Sequence, residues 1–280
     1  MKRGLIARWR EPSVLPGFPL AFGLTVAYLG AIVIIPLAAL VLKPWSLGLD
    51  GIWRELTEPR VLAALRLSFG ASALAALVDV PLGLIIAWTL VRYEFPGRRL
   101  IDALVDLPFA LPTAVAGIAL TTLYAPNGLI GSLAAKVGIK TAYSPIGIFI
   151  ALLFIGLPFI VRAIQPVLQE LDQEVEEAAR TLGATDLQRV AQVVLPALAP
   201  AIVSGATLAF ARAVGEYGSV IFIAGNMPMK TEIAPLLIVT QLEEFNYAGA
   251  TAIAAIMMIA SFAVLLGINL VQAAAQRRAA

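Results

Sequence analysis

The sequence predicts an all-α polytopic membrane protein, on three observations. Apolar residues make up 60% of the 280 and charged ones only 14%, a balance foreign to water-soluble domains. Six apolar segments, residues 18–42, 67–91, 104–123, 143–161, 197–224 and 247–271, each approach the roughly 20 residues that cross a bilayer as a helix. No run of short alternating strands suggests a barrel, and hydrocarbon offers no water for unpaired backbone groups, so the spans are expected to be six transmembrane helices.

Orientation follows from charge. With loops assigned alternately, one side holds Lys2, Arg3, Arg8, Arg10, Arg92, Arg98, Arg99, Arg162, Arg180, Arg189, Arg277 and Arg278, against Lys43, Arg54, Arg60, Lys136, Lys140 and Lys230 on the other. The excess places both termini and the loop at residues 172–196 in the cytoplasm.

Taken in order, the basic residues 1–10 precede an apolar run in the outline of a signal peptide. The charge-free stretch from residue 12 to 42 is too long for one, which predicts a retained first span. The second span carries Asp79 beside Pro81, expected as an interhelical contact and not a ligand. In the third, Asp106-Leu107-Pro108-Phe109-Ala110-Leu111-Pro112-Thr113 sets two prolines four apart. Each removes a helical hydrogen bond, so the segment is either a simple kink or a bend whose freed donors and Thr113 hydroxyl face an anion. In the fifth, Arg212 and Glu216 stand four apart near mid-span. They form either a mutual ion pair that braces the bundle or a path in which Arg212 eases an anion through and Glu216 weakens its grip. Gly225-Asn226-Met227-Pro228-Met229-Lys230-Thr231-Glu232 reads as a turn and exposed outer loop. Turn chemistry accounts for Asn226, which is also a candidate for the path or for docking an external protein.

The one long polar interruption is the loop at residues 172–196. Asp172 has the place of an N-cap with acidic residues in the first turn behind it, Gly183 that of a C-terminal stop, and Thr185 with Gln188 that of a capping box. Two short helices are therefore expected, the second ended by Pro196. Each has an apolar stripe, Val175, Ala178, Ala179 and Leu182, then Leu187, Val190, Ala191 and Val194, so the unit can lie in a partner's groove.

Composition also excludes. The chain has neither cysteine nor histidine, which removes thiol and imidazole chemistry and predicts no metal site. The net charge of +2 comes from scattered residues without interleaved aromatics, so no nucleic acid partner is expected. The glycines near Lys136 and Lys140 do not meet phosphate-loop spacing. If ATP drives this protein, another chain binds it.

Glu177-Ala178-Ala179, then Gly183, then Val193, Leu195 and Pro196 resemble the EAA loop of permease subunits of bacterial ATP-binding-cassette importers, with Val193 where isoleucine is usual. Longer stretches, Leu65 to Ser72, Leu104 to Gly117 and Ala211 to Leu237, resemble the T-subunit (CysT) family of sulfate/thiosulfate permeases. The resemblance implies the type I importer permease fold in a bacterial inner membrane, and an ATPase-coupling role for Glu177, Ala178, Ala179, Gly183, Leu195 and Pro196. It divides the chain into residues 1–60 (arm, first span and outer loop), 61–272 (importer transmembrane domain with its coupling loop) and 273–280 (cytoplasmic tail). It also implies a second sulfate permease subunit, an ATPase dimer carrying ATP and Mg, a periplasmic sulfate/thiosulfate-binding protein, and no catalysis or cofactor in this chain. Other readings are a molybdate-type or other oxyanion permease, an ATPase-independent transporter or channel, and, with no acid/base constellation to carry it, a membrane enzyme.

Overall fold

The computed structural model describes residues 17–279, and every regular element among the described residues is helical. The basic arm at residues 1–10 and the side chains of Arg277 and Arg278 lie outside the described residues. In order, α1 (Phe18–Leu29), a π turn (Gly30–Ile34), α2 (Ile35–Leu42), a 3-10 turn (Lys43–Leu47) and α3 (Gly48–Thr57) lead to α4 (Pro59–Arg92). Four short helices follow: α5 (Arg98–Val105), α6 (Leu107–Ala110), α7 (Thr113–Tyr124) and α8 (Leu129–Lys136). Then come the long α9 (Pro145–Glu170), the polar α10 (Gln173–Thr181) and α11 (Asp186–Arg189), a second π turn (Val190–Val194) and α12 (Leu195–Val214). The chain closes with α13 (Val220–Ala224), α14 (Ala234–Glu243) and α15 (Tyr247–Ala279). Among the described residues, five helical stretches are long and apolar enough to span a membrane, six if α7 and α8, bent by 42°, count as one.

The core is the three-helix contact of α4, α9 and α12. Without a hydrophobic force between helices in lipid, close approach of small residues must hold them. A Cβ on Gly83 of α4 would lie 2.5 Å from Ile160 Cγ2, and one on Gly205 of α12 would lie 3.1 Å from Ile160 Cα. Ile160 of α9, fully buried, thus fills notches offered from both sides. Gly156, one turn earlier on α9, abuts the Asp79 carboxylate of α4, the interhelical contact expected for that residue. A second cluster joins Ala75, Ala151, Leu152, Ala213, Val220 and Ile223. No residue of α1 or α2 is buried, and α2 touches the rest of the chain through α15.

Three expectations about the spans are corrected. Residues 104–123 are not one helix: the chain breaks after Val105 and again at Leu111 and Pro112. Pro108 sits in the first turn of α6 and Pro112 just before α7, where a proline forfeits no helical hydrogen bond. They start helices and do not kink one. The fifth apolar segment also breaks, because α12 stops at Val214 and α13 begins at Val220; Arg212 is therefore in a last turn and Glu216 in the break, not mid-span. The loop after Gly225 is exposed only through Lys230, since Thr231 and Glu232 are buried. Arg60 makes this possible by donating to both Glu232 carboxylate oxygens at 2.8 Å, compensating a charge that burial would otherwise penalise. Ser68 Oγ then accepts the Ala234 amide at 2.7 Å at the start of α14.

Candidate functional site

The elbow between α9 and α12 is built by local rules. Asp172 Oδ1 accepts the Glu174 amide at 2.9 Å and caps α10, with Glu174 and Glu176 in its first turn. Gly183, at φ 88°, ends it in the left-handed conformation, and the Ala184 amide reaches back to the Ala179 carbonyl at 3.0 Å. Thr185 Oγ1 accepts the Gln188 amide at 3.3 Å while Gln188 Oε1 accepts the Thr185 amide at 2.8 Å, completing the expected capping box.

Pro196, however, does not end the second helix. The π turn lets the Leu195 amide bond to the Val190 carbonyl five residues back, and the widened turn admits the proline ring in the second position of α12. The same device precedes Pro36, where the Ile35 amide bonds to the Gly30 carbonyl. As a result α11 is mechanically continuous with α12, and the run Asp186–Val214 is a single candidate span.

The elbow turns much of its apolar stripe outward. Leu182 is 89% exposed and Leu187 is 78% exposed, on either side of Gly183. Val175, Glu177, Ala178, Ala191 and Pro196 are exposed too, while Ala179, Val190 and Leu195 are half-buried and Val194 is buried. Leucines this open are unusual on a polar unit.

One residue of the elbow escaped the sequence. Glu176, beside the expected Glu177, is 8% exposed. Its Oε1 accepts from Arg92 at the end of α4, and its Oε2 lies 3.6 Å from Arg189 Nε of α11. No local spacing reveals it, because Arg92 is 84 residues upstream.

A second polar centre lies where two helix breaks cross. Glu216, 2% exposed, accepts from Arg212 and takes the Ser219 amide at 2.9 Å and the Ser219 hydroxyl at 3.1 Å. Of the two readings of Arg212 and Glu216, the ion pair is present, and it also repairs a broken helix by satisfying a freed amide. The Arg212 side chain keeps 37% of its surface exposed. Thr113 packs against Gly218, where a Cβ would lie 3.0 Å from Thr113 Cβ, and Gly117 meets the Ser219 backbone in the same way. The structure therefore brings Thr113 and Glu216 into one crossing. Pro108 and Pro112 stand on the approach to α7, and Asn226 sits beyond α13 in an exposed turn at φ 42°.

Arg162 fastens the first of these breaks. It lies inside α9, about two turns before the end, and donates to Asp106 at 2.8 and 2.6 Å and to Asp102 Oδ1 at 2.7 Å. These hydrogen bonds, aided by Gln165, hold the Asp102 carboxyl below its usual range. Among the described residues no three acidic side chains gather into a cation site.

Residues 79–280 match the family model described as binding-protein-dependent transport system inner membrane component. The chain belongs to that family: it is a membrane permease component, not an enzyme. It is 47% identical over 265 residues to the sulfate transport system permease protein CysT of Salmonella typhimurium, covering 95% of this chain and 96% of that one. A solved bacterial ABC transporter involved in import of the acidic polysaccharide alginate shares the fold, with a TM-score of 0.74 at 16% identity over 91% of this chain and 95% of that one. The alginate transporter in complex with its alginate pentasaccharide-bound periplasmic protein gives 0.73 at 17% identity, over 90% and 92%.

Proposed function

We propose that the chain is the permease subunit of an ATP-driven sulfate/thiosulfate importer of a bacterial inner membrane. The observation that carries this reading is the 47% identity, spread over 95% of the chain, to a sulfate transport system permease protein. Taking α7 with α8 as one bent span makes six, an even number that returns both termini to one side, and the basic-residue excess makes that side the cytoplasm. Residues 61–272 then form the importer domain, with residues 1–60 as arm, first span and outer loop and 273–280 as an inner tail.

The elbow docks into an ATPase that binds ATP and Mg. Glu177, Ala178 and Ala179 belong to the docking face, Gly183 shapes it, and Leu195 and Pro196 join it to α12. A second sulfate permease subunit completes the path, and a periplasmic binding protein delivers the anion. A divalent anion cannot cross hydrocarbon unaided. Arg212, with a partly exposed side chain and a charge tempered by Glu216, lowers the barrier without trapping the ion. Pro108, Pro112 and Thr113 keep the α7 break open beside it, and Asn226 lines the outer turn.

The test is reconstitution with the ATPase and binding protein, following labelled sulfate with molybdate as competitor. Uptake should require ATP, and molybdate should compete weakly. Gradient-driven uptake without ATP would overturn the reading. In the same preparation Leu182→Asp should weaken ATPase capture at least tenfold with an unchanged melting temperature.

A further inference from the structure

Glu176 is the acidic point between two guanidiniums on two different spans. Arg92, the last residue of α4, reaches it after passing over the Trp88 ring at 5.5 Å from the ring centroid. Arg189, which also pairs with Asp186 at 3.4 Å, approaches from α11, whose π turn runs unbroken into α12. All three side chains are largely buried, with exposures of 11% for Glu176, 14% for Arg92 and 20% for Arg189. Neither Arg92 Nε nor Arg189 Nε has a hydrogen-bond partner, so Glu176 holds Arg189 by charge alone.

A single carboxylate between two cations is asymmetric in consequence. While it is present both guanidiniums are attracted to α10; without it Arg92 loses its carboxylate and Arg189 keeps only the exposed Asp186, so two like charges are left undercompensated in a partly dry setting. By backbone alone α10 is joined to α9 through Asp172 and to α12 through α11. The Glu176–Arg92 pair adds a polar link to α4, and α4 and α12 are packed together around Ile160.

We infer that Glu176 is the positioning residue that divides a displacement of the elbow between α4 and α12, so that both spans move with α10 when a partner pushes on it. This role rests on the elbow being the ATPase-docking element. Glu177 and the open leucines receive the force at the surface, and Glu176 delivers it beneath. The hub is thus distinct from the docking face, and the two fail in different ways when altered.

The experiment uses the reconstituted complex with its binding protein and reads three quantities: ATPase co-purification, ATP hydrolysis, and sulfate taken up per ATP hydrolysed. Glu176→Gln and Arg92→Gln should keep the ATPase bound and hydrolysing while uptake per ATP falls at least tenfold. The exchange Arg92→Glu with Glu176→Arg leaves Arg189 beside a new cation, so Arg189→Gln is added; this triple variant restores the link to α4 while α12 stays joined through the backbone of α11, and it should recover at least a third of wild-type coupling. Unchanged uptake per ATP in Glu176→Gln would overturn the inference. So would a triple variant no better coupled than the single ones, or loss of the ATPase from all of these variants alike, which would make the hub mere scaffolding. Leu182→Asp, run in parallel, separates the two levels: if it retains the ATPase and transports normally, the docking reading itself fails, whatever Glu176 does.

Discussion

Around Ile160, glycines of α4 and α12 close on a single side chain, and at Gly156 α9 accepts α4 with no room to spare. Between residues 172 and 196 the organisation is reversed: capping side chains and ion pairs hold the backbone from within, and leucines that could have been buried point outward. In the core, shape decides, because lipid cannot drive helices together by hydrophobicity and every ångström of approach counts. In the elbow, local hydrogen bonding decides, leaving the apolar surface open. The difference separates a body packed by shape from an elbow ordered by its own hydrogen bonds and open at its surface.

Glycine provides the sharpest way to break this comparison, since it serves each region for a different reason. Gly83→Ala places a methyl 2.5 Å from Ile160 Cγ2 and 2.8 Å from its Cβ, in a site where Ile160 is fully buried and cannot step aside. The expected cost is about 3 kcal/mol, the upper end for overpacking, read as a fall in melting temperature and in the yield of monodisperse protein. Gly183→Ala meets nothing within 4 Å but must hold φ at 88°, so it should cost about 1 kcal/mol. That loss should appear as faster hydrogen exchange in α10 and weaker ATPase capture, with the global melt little changed. If the two substitutions were equally destabilising to the whole protein, core and elbow would not be separate mechanical parts.

How much of this was legible in the sequence follows the range of each interaction. Asp172, Gly183, Thr185 and Gln188 announced the elbow because a cap and its target are two or three residues apart. The long spans were legible because a 20-residue apolar run is itself the physical requirement. The breaks were not: hydropathy cannot distinguish an unbroken α12–α13 from one interrupted at Gly215, and Glu216 stands as a charge in mid-span until its bond to the Ser219 amide is seen. Pro196 misled for a related reason, because a π turn that accommodates proline leaves no mark in composition. α14 went unread since Ala234–Glu243 is too short to span. Glu176 was hidden because both of its arginines belong to other elements, and its more exposed neighbour Glu177 carries the recognisable motif.

A smaller effect tests whether the elbow is locally governed. Thr185→Ala removes the hydroxyl that accepts the Gln188 amide at 3.3 Å, and a lost N-cap of this kind costs about 1 kcal/mol. Because Thr185 is exposed and α11 is anchored by continuity with α12, the loss should be confined to residues 185–189. Hydrogen exchange there should rise severalfold while the core amides of α9 keep their protection. Spread of the change into α9 would mean that the elbow's order depends on the core after all.

The smallest expected effect lies at Asp102, where a charge serves the membrane domain as charges serve the elbow. The Arg162 hydrogen bond holds this carboxyl below its ordinary value of 3.8. A carboxyl depressed by folding contributes stability that is complete above the unfolded value and fades as pH falls through the lower folded one. Asp102→Asn should therefore lower the melting temperature near neutral pH and lose that deficit progressively as both proteins are taken below the ordinary carboxyl value of 3.8. Since 45% of the Asp102 side chain is exposed, solvent screens the interaction and the shift should be slight. A deficit that stayed constant with pH would trace to the geometry of the α5–α9 contact, and Arg162 would then anchor the break through shape, as glycine does in the core.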